Sequence, residues 1–279
     1  MKTGRELIKD IDACRLPEGA CALWWLGQQS FIVKLAGKVL YFDPFLSPHK
    51  KRKIPPLLSP QDVTNADLIL GSHDHTDHID RRIWPILAES SHTAKFVVPA
   101  LLLDSLARDL KIPANRFIGL DDKRSIKTGG LQISGVAAAH EFLDRDAATG
   151  RYPYLGYVVA AHGIAVYHAG DTCIYEGLQA RLRRWQLDVA FLPINGRDAR
   201  RLAANCIGNM TYQEAADLAG ALAPRLTIPA HFDMFAGNCV APELFSDYMR
   251  VKYPALKTVI CGYGKRLVLN PPEQLKRRR

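Results

Sequence analysis

The chain of 279 residues lacks any apolar run approaching the ~20 residues that a membrane-spanning helix requires. Residues 1–12 are charged and helix-like, and they lack the apolar segment and small-residue cleavage site of a secretory signal. These two absences exclude a membrane protein and a conventional secreted one, and they predict a cytoplasmic location.

Paired cysteines are also missing. The six cysteines are scattered singly, without the C-x-x-C spacing that builds zinc ribbons and redox sites, so we expect reduced thiols. No G-x-S-x-G segment is present, and no cysteine has the context of an activated thiol. The sequence therefore gives no support to a hydrolase that depends on a serine or cysteine nucleophile.

Positive charge exceeds negative charge, with 37 lysines and arginines against 28 acidic residues and a formal net charge of +9. Much of the excess lies in residues 50–53 and in the tail 276–279. Such runs are usually solvated, but they also attract anionic substrates or polyanions. Because no basic groove interleaved with aromatic residues is visible, nucleic acid is a disfavoured partner that the sequence leaves open.

Short apolar segments alternate with stretches of helical spacing along the whole chain. Strands are predicted at residues 22–26, 31–35, 39–42, 66–71, 96–99, 131–137, 156–160, 165–168, 189–193, 226–229 and 258–260. Helices are predicted at residues 81–88, 101–110, 175–184, 212–223 and 242–252. This order predicts an α/β fold of two packed sheets with outer helices, as one domain over residues 1–279 with a flexible tail at 274–279.

The densest chemical signal is the run His73-Asp74-His75-Thr76-Asp77-His78, directly after an apolar strand. Three histidines in six positions are rare by chance in a chain that has nine. Imidazole nitrogens and carboxylate oxygens are ligands for Zn²⁺, Mn²⁺ or iron, so the run predicts a metal site.

This run matches the H-x-H-x-D-H signature, and the chain thereby resembles the metallo-β-lactamase superfamily. Later landmarks occur in the expected order, each after an apolar segment: His140 in Ala-Ala-Ala-His, Asp171 in Ala-Gly-Asp-Thr, and His231 in Pro-Ala-His-Phe. Asp43 in Phe-Asp-Pro-Phe matches an early strand-end aspartate of the superfamily.

The resemblance implies a four-layer αββα sandwich, two mixed sheets face to face with helices outside. It also implies a hydrolase with two divalent ions per chain, Mn²⁺ or Zn²⁺ with iron as a third candidate, that uses a metal-activated water. Asp77 is the expected catalytic residue, and Asp43 and Asp233 are expected to hydrogen-bond the ligands. The implied ligands are His73, His75 and His140 for one ion, Asp77, His78 and His231 for the other, and Asp171 between them.

Within the superfamily, further stretches resemble the L-ascorbate-6-phosphate lactonase group, among them Trp24-Trp25-Leu26-Gly27, Tyr167-His168-Ala169-Gly170-Asp171 and Asn195-Gly196-Arg197. That likeness implies a lactone or other ester of a small anionic metabolite, with phosphorylated metabolites included, as substrate, and it implies a homo-oligomer. The implied substrate-binding residues are Asn195, Arg197, Tyr212 and Asn238. His140 departs from the lactonase pattern, which favours a complete two-metal site and leaves the lactone in question.

Two other activities fit parts of the sequence. A phosphodiesterase or nuclease of the same superfamily would use all seven ligands and would place residues 50–53 and the tail against nucleic acid. A non-hydrolytic diiron flavoprotein would need a carboxylate in place of a histidine ligand and a flavin domain, and neither is present. His168 is expected to be structural, and His49, His92 and His162 are expected to lie at the surface.

Overall fold

The computed structural model of the chain describes residues 1–271. The predicted flexible tail at 274–279 lies outside the described residues. Thirteen strands are present in this part of the chain: β1 (Cys21–Gly27), β2 (Ser30–Leu35), β3 (Lys38–Phe42), β4 (Leu68–Leu70), β5 (Lys95–Pro99), β6 (Phe117–Leu120), β7 (Ser125–Thr128), β8 (Leu131–Ala137), β9 (Leu155–Ala161), β10 (Ile164–His168), β11 (Val189–Pro193), β12 (Leu226–Ala230) and β13 (Arg266–Leu269).

Seven α-helices accompany the strands. They are α1 (Gly4–Ala13), α2 (Trp84–Ser90), α3 (Leu103–Leu110), α4 (Leu178–Leu182), α5 (Ala199–Ala203), α6 (Tyr212–Leu222) and α7 (Pro242–Lys252). Within the described chain, no helix is both long and apolar enough to cross a membrane.

The strands form two mixed sheets. The first has the order β13-β1-β2-β3-β4-β5-β6, and the second has the order β12-β11-β10-β9-β8-β7. In the first sheet β1, β2 and β3 pair antiparallel, and β3 to β6 pair parallel. In the second sheet β7 to β10 pair antiparallel, and β10, β11 and β12 pair parallel. Each sheet therefore brings the carboxyl ends of several parallel strands to one edge.

Alternating side chains of the first sheet enter two different cores, because successive residues of a strand point to opposite faces. Leu23 and Trp25 of β1 pack with residues of the second sheet, whereas Ala22 and Trp24 pack with residues of α1, α2 and α3. Both faces of the first sheet are thus buried at β1, which explains why this strand is apolar throughout.

Helices α4, α6 and α7 pack against the second sheet, where Leu178, Leu218 and Phe245 join the same buried cluster as its strands. With α1 to α3 on the other side, the layers follow the order helix, sheet, sheet, helix. The predicted αββα sandwich is confirmed. Thr211 caps α6 and Glu214 returns the hydrogen bond, so the two residues form a capping box.

Several predicted boundaries were wrong for local reasons. Residues 258–260 form only one bridge, between Thr227 and Thr258, because the next donor along β12 would be Pro229, which has no N–H. The helix predicted at 175–184 begins at Leu178, since Gly177 adopts a left-handed backbone conformation. The helix predicted at 81–88 begins at Trp84, after a turn.

Candidate metal centre

Strand ends position the candidate site. Asp43 follows β3, the 73–78 run follows β4, Asp171 follows β10 and His231 follows β12. Because β3 and β4 are parallel neighbours, and β10 and β12 both flank β11 in parallel, their carboxyl ends converge at one edge of the sandwich.

The loop after β4 leaves no room for a side chain at its first position. A Cβ at Gly71 would lie 2.5 Å from Ile79 and 2.8 Å from Trp84. Beyond it, the backbone N–H groups of His78 and Ile79 both donate to the carbonyl of His75, at 3.0 and 2.8 Å. This turn compresses the ligand run so that alternate side chains reach the same cluster of ligand atoms.

The two sheets are joined directly beneath the site. The N–H of Leu155 donates to the carbonyl of Ser72 at 3.0 Å, and the Tyr157 hydroxyl donates to the carbonyl of Gly71 at 2.9 Å. A Cβ at Gly170 would lie only 2.8 Å from the Cβ of Ser72, and Gly170 has a φ of +61°. Glycine at this position therefore allows Asp171 to approach the 73–78 loop closely.

The structure brings all seven predicted ligands together. Their ligand atoms form three groups within which every atom lies within 4.8 Å of the others. The groups are His73, His75 and His140; His73, His78 and Asp171; and Asp77, His78 and His231.

We call two of these groups the outer groups: His73, His75 and His140, and Asp77, His78 and His231. Asp171 lies between the histidines of the two outer groups. Its Oδ1 is 3.4 Å from Nε2 of His78, and its Oδ2 is 3.1 Å from Nε2 of His231 and 3.7 Å from Nε2 of His140. A carboxylate in this position can contact ions held on both sides of it.

Two atoms of the cluster show that it fits metal ions. Nε2 of His78 and Oδ1 of Asp171 are fully buried, and neither forms a hydrogen bond with any described residue. A buried polar atom without a partner costs ~1–3 kcal/mol, so such atoms need a ligand. Zn²⁺, Mn²⁺ and iron all bind to sets of imidazole nitrogens and carboxylate oxygens such as this one.

The charges of the site are strongly coupled. Burial lowers the pKa of His140 to about 4 and holds the pKa of His73 well below its usual value. Burial opposes charge on His231 and His78 as well, but the neighbouring carboxylates, led by Asp171, raise the pKa of His231 to about 9 and that of His78 well above its usual value. The outer groups therefore differ in protonation: one histidine pair stays neutral and the other carries protons.

The carboxylates of the cluster respond in the opposite direction. Burial alone would raise the pKa of Asp77 and of Asp171, but the positive charges of His78 and His231 outweigh burial and hold both pKa values well below the usual range. Both groups are ionised at neutral pH and available to cations.

Asp43 contacts one predicted ligand directly and a second through Ser72. Its Oδ2 accepts from Nδ1 of His78 at 2.6 Å and from the Ser72 hydroxyl at 2.7 Å. The Ser72 hydroxyl in turn lies 3.0 Å from Nδ1 of His73. A buried carboxylate that accepts the second ring N–H of a histidine leaves Nε2 free to bind a metal.

Gln28 is a site residue that sequence reasoning missed. Its side-chain amide donates to Oδ2 of Asp77 at 2.8 Å and lies 3.1 Å from Nε2 of His231. Its backbone N–H donates to Oδ1 of Asp233, whose Oδ2 accepts from the Tyr263 hydroxyl at 2.9 Å. Asp233 thus contacts Gln28 and Tyr263 in place of the predicted contact with a ligand. The sequence shows Gln28 only as part of a turn between two strands.

Tyr154 was also missed. Its ring centroid lies 5.4, 6.2 and 5.5 Å from those of His73, His75 and His140. It therefore covers one side of the all-histidine group, and only the folded arrangement of β9 reveals this.

The predicted substrate residues have different partners in the structure. The side-chain amide of Asn195 donates to the Asn238 carbonyl oxygen at 2.9 Å, and Asn195 accepts from Asn209 at 3.1 Å. Arg197, in contrast, forms two 2.7 Å hydrogen bonds to the carboxylate of Glu214. Its guanidinium is thereby committed to the cap of α6.

The remaining predicted substrate residue, Tyr212, begins α6 and packs edge-on against Tyr248. His168 is fully buried, and its Nε2 donates to the carbonyl of Gln29 at 2.8 Å, which is the geometry of a structural histidine. The cysteines are all free thiols.

The sandwich and the histidine and aspartate cluster at its edge define the class of protein, an α/β metallohydrolase fold with a metal-binding edge. Comparisons with known proteins agree. The model of the β-lactamase superfamily domain matches residues 39–232. A UPF0173 metal-dependent hydrolase of Pyrococcus furiosus is 30% identical over 248 residues, covering 88% of this chain and 98% of the relative. Another, from Caldivirga maquilingensis, is 27% identical over 251 residues, covering 90% of this chain and 98% of the relative.

The chain belongs to the metallo-β-lactamase superfamily and, within it, to the UPF0173 metal-dependent hydrolases. Solved structures confirm the fold. Igni18, a metallo hydrolase from Ignicoccus hospitalis, superposes with a TM-score of 0.71 at 21% identity, over 91% of this chain and all of that one. CmlA, a diiron β-hydroxylase from Streptomyces venezuelae, superposes with a TM-score of 0.64 at 15% identity, over 92% of this chain and 55% of that one.

Proposed function

We propose that this metal-dependent hydrolase cleaves a lactone or other ester of a small anionic metabolite, with two divalent ions at the 73–78 edge. Three overlapping ligand groups around one buried carboxylate, Asp171, are the observation that carries the proposal. Mn²⁺ and Zn²⁺ are the first candidates and iron is the third, because nitrogen and oxygen donors are mixed.

The ligand assignment follows the outer groups. One ion would be held by His73, His75 and His140, the other by Asp77, His78 and His231, with Asp171 in reach of both. The bound ions would supply positive charge that lowers the pKa of water toward ~7 and polarises the carbonyl under attack.

Asp77 is suited to orient the attacking water. Its side chain is 21% exposed, whereas His78 is fully enclosed and Asp171 only 4% exposed. The Gln28 amide holds its Oδ2, and its depressed pKa keeps it an ionised acceptor at neutral pH. An ionised, partly exposed carboxylate at the open side of the cluster can accept a hydrogen bond from water or carry a proton away from it.

Charge on the same side supports an anionic substrate. The chain carries a net charge of +9, and residues 50–53 and 197–201 contribute basic side chains beyond the ends of β3 and β11. Concentrated positive charge near a cleft raises the local concentration of small anions.

The test is a substrate panel assayed with protein that has been stripped and reloaded with Mn²⁺ or Zn²⁺. The panel contains phosphorylated lactones, simple lactones, aryl esters and bis-p-nitrophenyl phosphate. We expect turnover of a lactone or ester that requires metal, and a loss of about 10²–10³-fold in kcat for Asp77→Asn.

Asp74→Asn is the matched control, because Asp74 lies in the same loop but pairs with Arg81 at the surface. It should retain activity. Turnover of the diester without turnover of any lactone or ester would identify a phosphodiesterase instead. The same two adjoining ligand groups also suit that activity. Full activity in Asp77→Asn would refute the assigned role of that residue.

A further inference from the structure

A cleft of about 610 Å³ opens beside the metal centre. Three chain segments line it: residues 49–51 beyond β3, residues 198–206 around α5, and residues 235–238 after β12. Its lining includes Asn238, which accepts from the buried Asn195 amide at the end of β11. The cleft therefore adjoins the edge of the sandwich where the ligands lie.

Two further observations connect the cleft with the ligand cluster. Arg52 bridges to Phe235, and the N–H of Lys53 donates to the carbonyl of Met234 at 2.8 Å, so the basic loop is attached to the segment that begins at His231. Cys206, in the cleft wall, has a raised pKa, chiefly through burial and also through the carboxylates of Asp171 and Asp77. Those carboxylates are thus within electrostatic reach of the cleft.

Most basic side chains around the cleft already have partners. Arg201 donates to Asn195 and contacts Asp198 at 3.3 Å, and this pairing also neutralises the acidic residue of the lining. Arg52 donates to the backbone carbonyls of Phe45 and Ile54 at 2.9 Å each.

Lys51 and Arg200 differ from these residues. Both line the cleft and both are exposed, and within residues 1–271 neither side chain has a hydrogen-bonding or ion-pair partner. The Lys51 backbone is fixed by a hydrogen bond to Nδ1 of His49 at 3.2 Å. Two unpaired cations thus face a shared cleft from segments far apart in the sequence, above an apolar surface formed by Phe235, Ala204 and Ala236.

We infer that this cleft, through Lys51 and Arg200, binds the anionic group of the substrate, a carboxylate or a phosphate, while the ester lies at the metal centre. The inference rests on the proposed function. The apolar surface suits the carbon chain between the two groups. Two cations in a concave site match one small anion, whereas a nucleic acid would engage a longer series of phosphate contacts.

The experiment uses the metal-loaded full-length protein and two aryl esters that differ only at one end, p-nitrophenyl pentanoate and p-nitrophenyl hydrogen glutarate. For the double variant Lys51→Ala/Arg200→Ala, we expect KM for the glutarate ester to rise about tenfold, with kcat unchanged and the pentanoate kinetics unaffected. The glutarate preference of the unaltered protein should weaken with salt.

The matched control is Lys9→Ala/Arg183→Ala. It removes the same net charge from two exposed residues that do not line the cleft, so it should retain the glutarate preference. An equal effect of both double variants would overturn the inference, because only long-range charge would then be at work.

Binding of glutaranilate, an amide that carries the same carboxylate, is measured by calorimetry as a readout independent of ester turnover. Weaker binding to Lys51→Ala/Arg200→Ala, with no ester hydrolysis by the unaltered protein, would uphold the cleft and reject the proposed function. Ester hydrolysis with identical KM values in the unaltered protein and in Lys51→Ala/Arg200→Ala would uphold the proposed function and overturn the role of the cleft. Competition by a short oligonucleotide but not by glutaranilate would overturn the small-anion assignment in favour of nucleic acid.

Discussion

The two outer ligand groups of the centre are supported to different degrees. In the group Asp77, His78 and His231, His78 donates to the buried Asp43, and Gln28 contacts both Asp77 and His231. In the group His73, His75 and His140, His140 lies 3.2 Å from the carbonyl of Gly208, and His73 reaches Asp43 only through Ser72. His75 is partly exposed, and the one hydrogen-bond contact of its side chain among the described residues is with His73.

The two groups therefore differ in the residues that support their ligands, and a list of ligands alone does not describe the site. A carboxylate behind a histidine orients the ring and increases its affinity for metal. We therefore expect the group that contains His78 to hold its ion more tightly than the all-histidine group. The predictions below test this asymmetry.

The largest effect is expected from Asp171→Ala, because Asp171 is the carboxylate within reach of both groups. Removing it should weaken metal binding by both groups: metal content should fall below one tightly bound ion per chain, and activity by about 10³-fold or more. Metal analysis after gel filtration, with Asp74→Ala as the control, measures this. Two retained ions would show that Asp171 does not join the groups.

Asp43→Asn should act selectively on the better supported group. The substitution preserves the shape of the side chain but removes the charge that faces Nδ1 of His78, and loss of such a partner typically weakens metal affinity by about 10–100-fold. In a competitive titration with a chromophoric chelator, the metal affinity of the tighter site should fall toward that of the weaker site. If the affinity of the weaker site alone changed, the assignment of support to the His78 group would be wrong.

The smallest expected difference between the two outer groups is in the number of protons that each releases when it binds metal. His231 has a raised pKa of about 9 in the metal-free protein, so it binds metal only after losing a proton, and its affinity should fall by about tenfold per pH unit below pH 9 for each proton displaced. His140, with a pKa lowered to about 4, is already neutral at pH 7 and should release none.

Calorimetry in two buffers of different ionisation enthalpy counts the released protons. The first, tight equivalent of metal should release at least one proton and the second close to none. Equal release for both equivalents would remove the electrostatic basis of the comparison.

Much of this architecture could be predicted from the sequence. The superfamily and the sandwich are confirmed, and the apolar segments that precede the ligands are strands, because period and hydrophobicity are local properties. Strands β6, β7 and β13 were missed. Each has four residues, and β7 and β13 have alternating half-exposed patterns. β13 joins the first sheet through its antiparallel pairing with β1, near the other end of the chain, and local sequence does not show that pairing.

Residue type and spacing specify the chemistry of the 73–78 run, because they identify metal ligands without reference to distant contacts. The fold is needed to show which residues support these ligands and which basic side chains stay unpaired. Gln28, some 200 positions from His231, contacts it because two strand ends converge. Arg197 is bound to Glu214, whereas Lys51 and Arg200 remain unpaired within residues 1–271. Pairing depends on which side chains meet in space, and sequence order does not record it.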